Sequence, residues 1–152
     1  MASPTESFAV IGGEGFVGQA LVQGLLKRYP NNHVASFGLT QRTFTPGYRF
    51  HRTDITSAES LAASLKASGA TTVFHTASPH ANATTEVCEA VNIRGTEAVV
   101  KACKEAGVTK LIFTSTCTLV FEGKALINVD ERMPVTKKKD VPYVWTKVSV
   151  TD

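Results

Sequence analysis

Val10-Ile11-Gly12-Gly13-Glu14-Gly15-Phe16-Val17-Gly18 is a short apolar run that breaks into glycines and passes at once into an apolar-periodic segment. That is the order of a strand, a tight turn and a helix whose first turn faces an anion. Gly12 permits the sharp exit from the strand. Gly15 leaves the backbone open to a pyrophosphate, and Gly18 lets the helix lie close to the strand. The N–H groups and dipole at the helix start, over Phe16 and Val17, favour negative charge. The glycines read G-x-x-G-x-x-G, not the G-x-G-x-x-G of the long-chain dinucleotide fingerprint. An ordinary strand–helix turn needs glycines too, so the rest of the chain has to decide.

The chain has 152 residues, enough for one domain with a real core. A net charge of +3 gives no general argument for nucleic acid or a membrane surface. No apolar run approaches the roughly 20 residues that span a bilayer. Met1 to Glu6 is polar and carries no signal-peptide pattern, so a cytoplasmic protein is expected. Cys88, Cys103 and Cys117 are odd in number and lack C-x-x-C spacing, which argues against zinc or a disulfide framework. Buried thiols in a reducing compartment, and no metal site, are the expectation.

Ser7 to Ile11 reads as the opening strand. Val17, Ala20, Leu21, Leu25 and Leu26 then recur at helical spacing up to Tyr29-Pro30. His33 to Phe37 and Tyr48 to His51 are the next strands. Thr56-Ser57-Ala58-Glu59 has the form of a capping box, opening a helix with Leu61 and Leu65 on its buried side and Gly69 at its end. Thr72 to Thr76 is a fourth strand. A long helix from about Thr84 to Ala106 follows, with Val87, Val91, Ala98, Val99, Ala102 and Cys103 as its apolar side. Glu97 and Lys101 form an i,i+4 pair on it, and Gly107 closes it. Lys110 to Thr114 is a continuous apolar run, as expected of a strand covered on both faces. A long loop then leads to a last helix starting near Pro142. It exceeds what a structural connection needs, which marks it as functional or mobile.

Strands and helices alternate throughout, which predicts an α/β fold: a doubly wound parallel sheet with helices on both faces. Ligands bind such sheets at the carboxyl ends of the strands. Gly12–Gly18, Asp54, Thr76–Ser78 and Thr114–Thr116 all fall at such ends.

Tyr143-Val144-Trp145-Thr146-Lys147 is a Y-x-x-x-K pair. Together with the glycine spacing and Val91-Asn92-Ile93-Arg94-Gly95-Thr96, it resembles the extended branch of the short-chain dehydrogenase/reductase superfamily. Val73-Phe74-His75-Thr76-Ala77-Ser78-Pro79, Lys104-Glu105-Ala106-Gly107-Val108 and Phe121-Glu122-Gly123 are similar to the 3β-hydroxysteroid dehydrogenase family, in particular its decarboxylating sterol-4α-carboxylate 3-dehydrogenases. The resemblance runs over nearly the whole chain. It implies a Rossmann-like NAD(P)-binding domain and oxidation of a 3β-hydroxyl on a steroid or sterol-like alcohol.

The chemistry of the pair is intelligible in itself. Tyr143 and Lys147 share one helix face, and an ammonium near a phenol favours the phenolate. By resemblance, Tyr143 then takes the alcohol proton while hydride leaves for the nicotinamide, and Lys147 also holds the nicotinamide ribose. The family's third catalytic residue, a serine after the fifth strand, falls on Thr116 in this register, with Ser115 as the neighbour if the register shifts by one. Threonine keeps the hydroxyl that bonds the substrate oxygen. Asp54-Ile55 matches the acidic position that contacts the adenine amine. Thr76, Ala77 and Ser78 line the cofactor, and Asn92 braces the sheet from the long helix; a polar residue amid Val91 and Ile93 needs an internal partner.

Two departures matter. NAD-preferring members hold the adenosine ribose with an acid at the end of the second strand, which falls here at about Gly38. No Asp or Glu lies between Glu14 and Asp54, and Arg42 is the nearest charge, so NADP is favoured over NAD. The chain also stops at Asp152, where the family's helix continues, further strands follow and a substrate-binding segment is built. An amino-terminal portion is therefore expected, with the substrate domain absent, little activity in isolation and an exposed sheet edge. By resemblance, a longer form dimerises through the Y-x-x-x-K helix and sits at the endoplasmic reticulum through a later apolar segment. Lys27-Arg28 and Lys137-Lys138-Lys139 read as solvated surface. The competing readings are a nucleotide-binding module without turnover, and a dihydroflavonol- or cinnamoyl-type reductase or nucleotide-sugar epimerase that shares the same catalytic trio.

Overall fold

A computed structural model describes residues 6–123 and 125–150. Met1–Thr5 of the polar start, and the end at Asp152, lie outside the described residues. The chain forms β1 (Phe8–Ile11), α1 (Phe16–Arg28), β2 (Val34–Gly38), β3 (Tyr48–Arg52), α2 (Ala58–Ser68) and β4 (Thr72–His75). Then come α3 (Thr85–Cys88), a π-helical segment (Glu89–Gly95), α4 (Thr96–Ala106), β5 (Lys110–Phe113), a 3₁₀ turn (Cys117–Val120) and α5 (Pro142–Val148). The strands make one parallel sheet in the order β3-β2-β1-β4-β5. The chain starts at the centre, builds outward to β3, then crosses to the other side of β1. That reversal puts the topological switch point at β1 and β4, and open α/β sheets take ligands at the carboxyl ends of the strands near such a point.

Two apolar layers result from strand alternation. Phe8, Val10 and Val34 pack on Val22 and Leu25 of α1. Ala9, Ile11, Phe37 and Val73 point the opposite way, onto Leu61 and Leu65 of α2 and Val99 and Ala102 of α4. The fold is thus the expected Rossmann-like doubly wound sheet. α2 and α4 both end on left-handed glycines, Gly69 (φ 64°) and Gly107 (φ 73°), and α5 opens with Pro142 at its first position.

The structure corrects four local expectations. Thr56 does not cap α2: both its N–H and its hydroxyl donate to Asp54 Oδ1 (2.9 and 2.8 Å), which draws it into a turn and delays the helix to Ala58. The long helix is not uniform; seven residues around Asn92 are π-helical, and a side chain at Gly95 would begin 2.7 Å from Ile55 Cδ1. The i,i+4 ion pair of α4 is Lys101–Glu105 (3.9 Å), one turn beyond Glu97–Lys101. β5 is not covered on both faces. It pairs only with β4 among the described residues, and Leu111 and Ile112 are 36% and 43% exposed, because the helices lie over the centre of the sheet. Of the thiols, Cys88 and Cys103 are buried, whereas Cys117 is exposed at the start of the 3₁₀ turn.

Candidate cofactor and catalytic site

The glycine loop is locked by backbone contact. Gly12 has φ +82°, and a Cβ there would stand 2.7 Å from Ala77 N. The exits of β1 and β4 therefore touch, and Thr76 reinforces this by donating both its N–H and its hydroxyl to Ile11 O, each at 2.9 Å. A Cβ on Gly18 would lie 2.1 Å from Gly12 O, so α1 rests on the turn itself. Gly15 is the N-cap of α1, and its added Cβ would meet only Gly12 O, at 3.2 Å. Its outer side is open. Phe16 and Val17 stand in solvent, 96% and 49% exposed, so their contribution at the helix start comes from the backbone.

A cleft of about 520 Å³ opens beside this loop. Gly12 and Gly15 of the loop, Asp54 and Ile55 after β3, and Thr76, Ala77 and Ser78 after β4 all line it. Arg42 reaches it from the β2–β3 connection, and Val87 and Val91 give it an apolar side. Eight expected positions from four separate segments thus meet in one space. An open backbone loop at a helix N-terminus, apolar lining and a carboxylate suit a dinucleotide's pyrophosphate, adenine and amine.

The expected catalytic residues lie apart from that cleft, where β5 ends. Lys147 is 3% exposed; its Nζ donates to Thr114 O (3.0 Å) and sits 4.5 Å from the centre of the Phe113 ring. Burial pulls its pKa below the ordinary lysine value. Tyr143 is half-buried one helical turn earlier. Asn92 does not line the cleft but lies behind it, 1% exposed. It accepts from Ser78 Oγ (3.1 Å) and donates to Thr146 Oγ1 (3.0 Å), tying the β4 exit to α5. Thr116 caps the 3₁₀ turn: its Oγ1 accepts from Thr118 N (3.3 Å) and pairs with Thr118 Oγ1 (3.0 Å). Ser115 is exposed beside it.

Three residues were missed by sequence reasoning. Thr146, inside the Y-x-x-x-K segment, is fully buried and anchors Asn92. His75, 1% exposed in β4, pairs through Nε2 with Thr96 Oγ1 (3.0 Å), while its buried Nδ1 has no hydrogen-bond partner among the described residues. Burial, then the Lys147 charge, push its pKa down to about 4. Glu14, in the glycine loop, is 6% exposed. For Thr146 and His75 the only signal was a polar residue inside an apolar element.

The sequence profile of the 3-beta hydroxysteroid dehydrogenase/isomerase family matches residues 9–150. The chain is 41% identical over 140 residues to the human decarboxylating sterol-4-alpha-carboxylate 3-dehydrogenase, covering 91% of this chain and 36% of that protein. It is 36% identical over 149 residues to the 3 beta-hydroxysteroid dehydrogenase/Delta 5→4-isomerase of Mycobacterium tuberculosis, covering 91% and 39%. Among solved structures, UDP-glucose 4-epimerase of Thermus thermophilus in complex with NAD superposes with a TM-score of 0.83 at 27% identity, over 95% of this chain and 48% of that one. The chain spans less than half the length of each of these proteins.

Proposed function

The chain belongs to the 3-beta hydroxysteroid dehydrogenase/isomerase family, and on that premise we propose that it carries the dinucleotide-binding half of an NAD(P)-dependent oxidoreductase. Its substrate is a steroid or sterol bearing a 3β-hydroxyl, which is oxidised to the ketone. The observation that carries this reading is the convergence of the glycine loop, Asp54 and Thr76–Ser78 on one cleft, with α5 held to the same β4 exit through Asn92 and Thr146.

When bound, the nicotinamide supplies the hydride acceptor. The chain's residues do the rest. Tyr143 takes the proton from the substrate hydroxyl as its general base. Lys147, fixed by Thr114 O, holds positive charge near it and bonds the nicotinamide ribose. A hydroxyl from Thr116 or Ser115 positions the substrate oxygen. NADP is the preferred cofactor, since Gly38 supplies no carboxylate at the end of β2 and Arg42 lines the cleft. The three free thiols fit a reducing, cytoplasmic setting, and a longer form is expected to dimerise through α5.

One observation favours a second reading, nucleotide binding without turnover: the Thr116 hydroxyl is already bonded to Thr118 rather than turned to a substrate. Fluorescence titration with NADPH and NADH, followed by assay of dehydroepiandrosterone and a 4α-carboxysterol, separates the two. Turnover that disappears in Tyr143→Phe with binding kept supports the oxidoreductase. Binding without turnover supports the module, and absence of binding overturns both.

A further inference from the structure

Residue 38, at the end of β2, is glycine, yet a carboxylate stands beside it. A side chain begun at Gly38 would lie 4.0 Å from Glu14 Cγ. Glu14 reaches there from the glycine loop. Its Oε1 faces Ser36 Oγ (2.8 Å) and Tyr48 OH (3.1 Å). Its Oε2 accepts from the backbone N–H groups of Arg42 (2.7 Å) and Thr43 (2.9 Å) and from Thr43 Oγ1 (3.1 Å). A carboxylate offers about four lone-pair sites; Ser36, Arg42 and Thr43 fill most of them, with the Tyr48 hydroxyl shared between Oε1 and Thr43 O (2.5 Å), so although Glu14 borders the cleft little of it is left for a ribose diol. Glu14 is therefore no substitute for a ribose-binding acid. What it holds is chain: two consecutive peptide N–H groups on one oxygen fix the backbone at Arg42 and Thr43. Arg42 and its neighbours Leu39 and Thr40 form the adjoining wall of the cleft.

We propose that Glu14 is a positioning residue for cofactor choice, clamping the β2–β3 connection to the glycine loop so that Arg42 is presented to the 2′-phosphate of NADP. The inference rests on the NADP reading above. A loop already ordered has less conformational freedom to lose on binding. Release of the clamp therefore weakens the cofactor whose extra group Arg42 meets, and leaves the other largely unaffected. Burial alone would raise the Glu14 pKa, but the bonds from Arg42, Thr43, Ser36 and Tyr48 outweigh it and hold the group ionised below the usual carboxylate range.

The test measures amide hydrogen exchange at Arg42 and Thr43 in the cofactor-free chain, and NADPH and NADH dissociation constants, for wild type, Glu14→Ala, Glu14→Gln, Thr43→Val and Arg42→Ala. Glu14→Ala is expected to speed exchange at both amides and to raise the NADPH constant about 10-fold, with NADH changing less than about 3-fold. Arg42→Ala repeats the NADPH loss with exchange at Thr43 unchanged. Thr43→Val removes one hydroxyl and gives a smaller change in the same direction, which keeps the test valid if the Glu14 variants fail to fold. Unchanged exchange, equal weakening of both cofactors, or tighter NADPH binding without Glu14 overturns the proposal; the last would mean that its charge repels the phosphate. If wild type does not distinguish the cofactors and Arg42→Ala alters neither, the NADP reading fails and takes the specificity role with it, while exchange still decides whether the clamp exists. Binding of neither cofactor overturns the dinucleotide reading itself.

Discussion

Asn92 Nδ2 donates to Thr146 Oγ1 across 3.0 Å, joining the π-helical segment to the helix that carries Tyr143 and Lys147. Both residues are fully enclosed, and the other side of the Asn92 amide is taken by Ser78. Thr146→Val keeps the shape but strips the hydroxyl, leaving a buried amide donor unmet at a cost of about 1–3 kcal/mol. Urea unfolding at neutral pH measures that loss. Cofactor affinity should fall less than turnover, since α5 rather than the glycine cleft is released. Equal stability in Thr146→Val would show that the bond holds nothing.

The glycines of α1 make opposite predictions. Gly18→Ala places a methyl 2.1 Å from Gly12 O, a backbone atom that cannot yield without opening the turn. It is expected to abolish cofactor binding and to lower the melting temperature. A Cβ added at Gly24 meets nothing within 4 Å beyond its own helix, so Gly24→Ala should stabilise the helix by about 0.5–1 kcal/mol. Thermal melts of the two variants, side by side, check both signs.

His75 sets an acid limit. Its folded pKa of about 4 lies below the ordinary 6.5, so the unfolded chain binds the extra proton first. This contribution to stability is whole above pH 6.5 and is lost as pH falls toward 4, by on the order of 3 kcal/mol. Urea midpoints at pH 7.5 and 5 should therefore converge in His75→Gln relative to wild type. An unaltered pH dependence in the variant would assign the acid sensitivity elsewhere.

Among the described residues β5 is a sheet edge, with Leu111 and Ile112 exposed. Ile112→Lys should change stability by less than about 0.5 kcal/mol, because the residue is 43% exposed, while raising the soluble fraction by guarding the edge. Light scattering during concentration of the two chains measures this. A large loss of stability instead would mean that Ile112 is packed.

The glycine positions were legible in the sequence because they rest on backbone demands. Gly12, Gly18, Gly69 and Gly107 each sit where positive φ or close approach excludes a side chain, and such needs are written in residue identity. The capping box at Thr56 failed because Asp54, two residues earlier, offered its donors a nearer acceptor. The Glu97–Lys101 pair failed because Lys101 turns to the carboxylate on its other side. Strand β5 looked doubly covered because an apolar run records what a surface can bury, not whether a neighbour is present.

The sequence by itself determined the alternation of strands and helices, the tight glycine turn at Gly12–Gly18 and the shared helix face of Tyr143 and Lys147, since all three follow from local pattern and spacing. Only the tertiary structure decided that Asn92 locks Thr146, that His75 lies buried beside Lys147, and that Glu14 holds Arg42 and Thr43. Each of those relationships joins segments far apart in the chain. The Asn92 and Glu14 bonds draw their strength from donors and acceptors brought together away from bulk water, where an unpaired group is costly, and no local pattern encodes which distant partner will meet it.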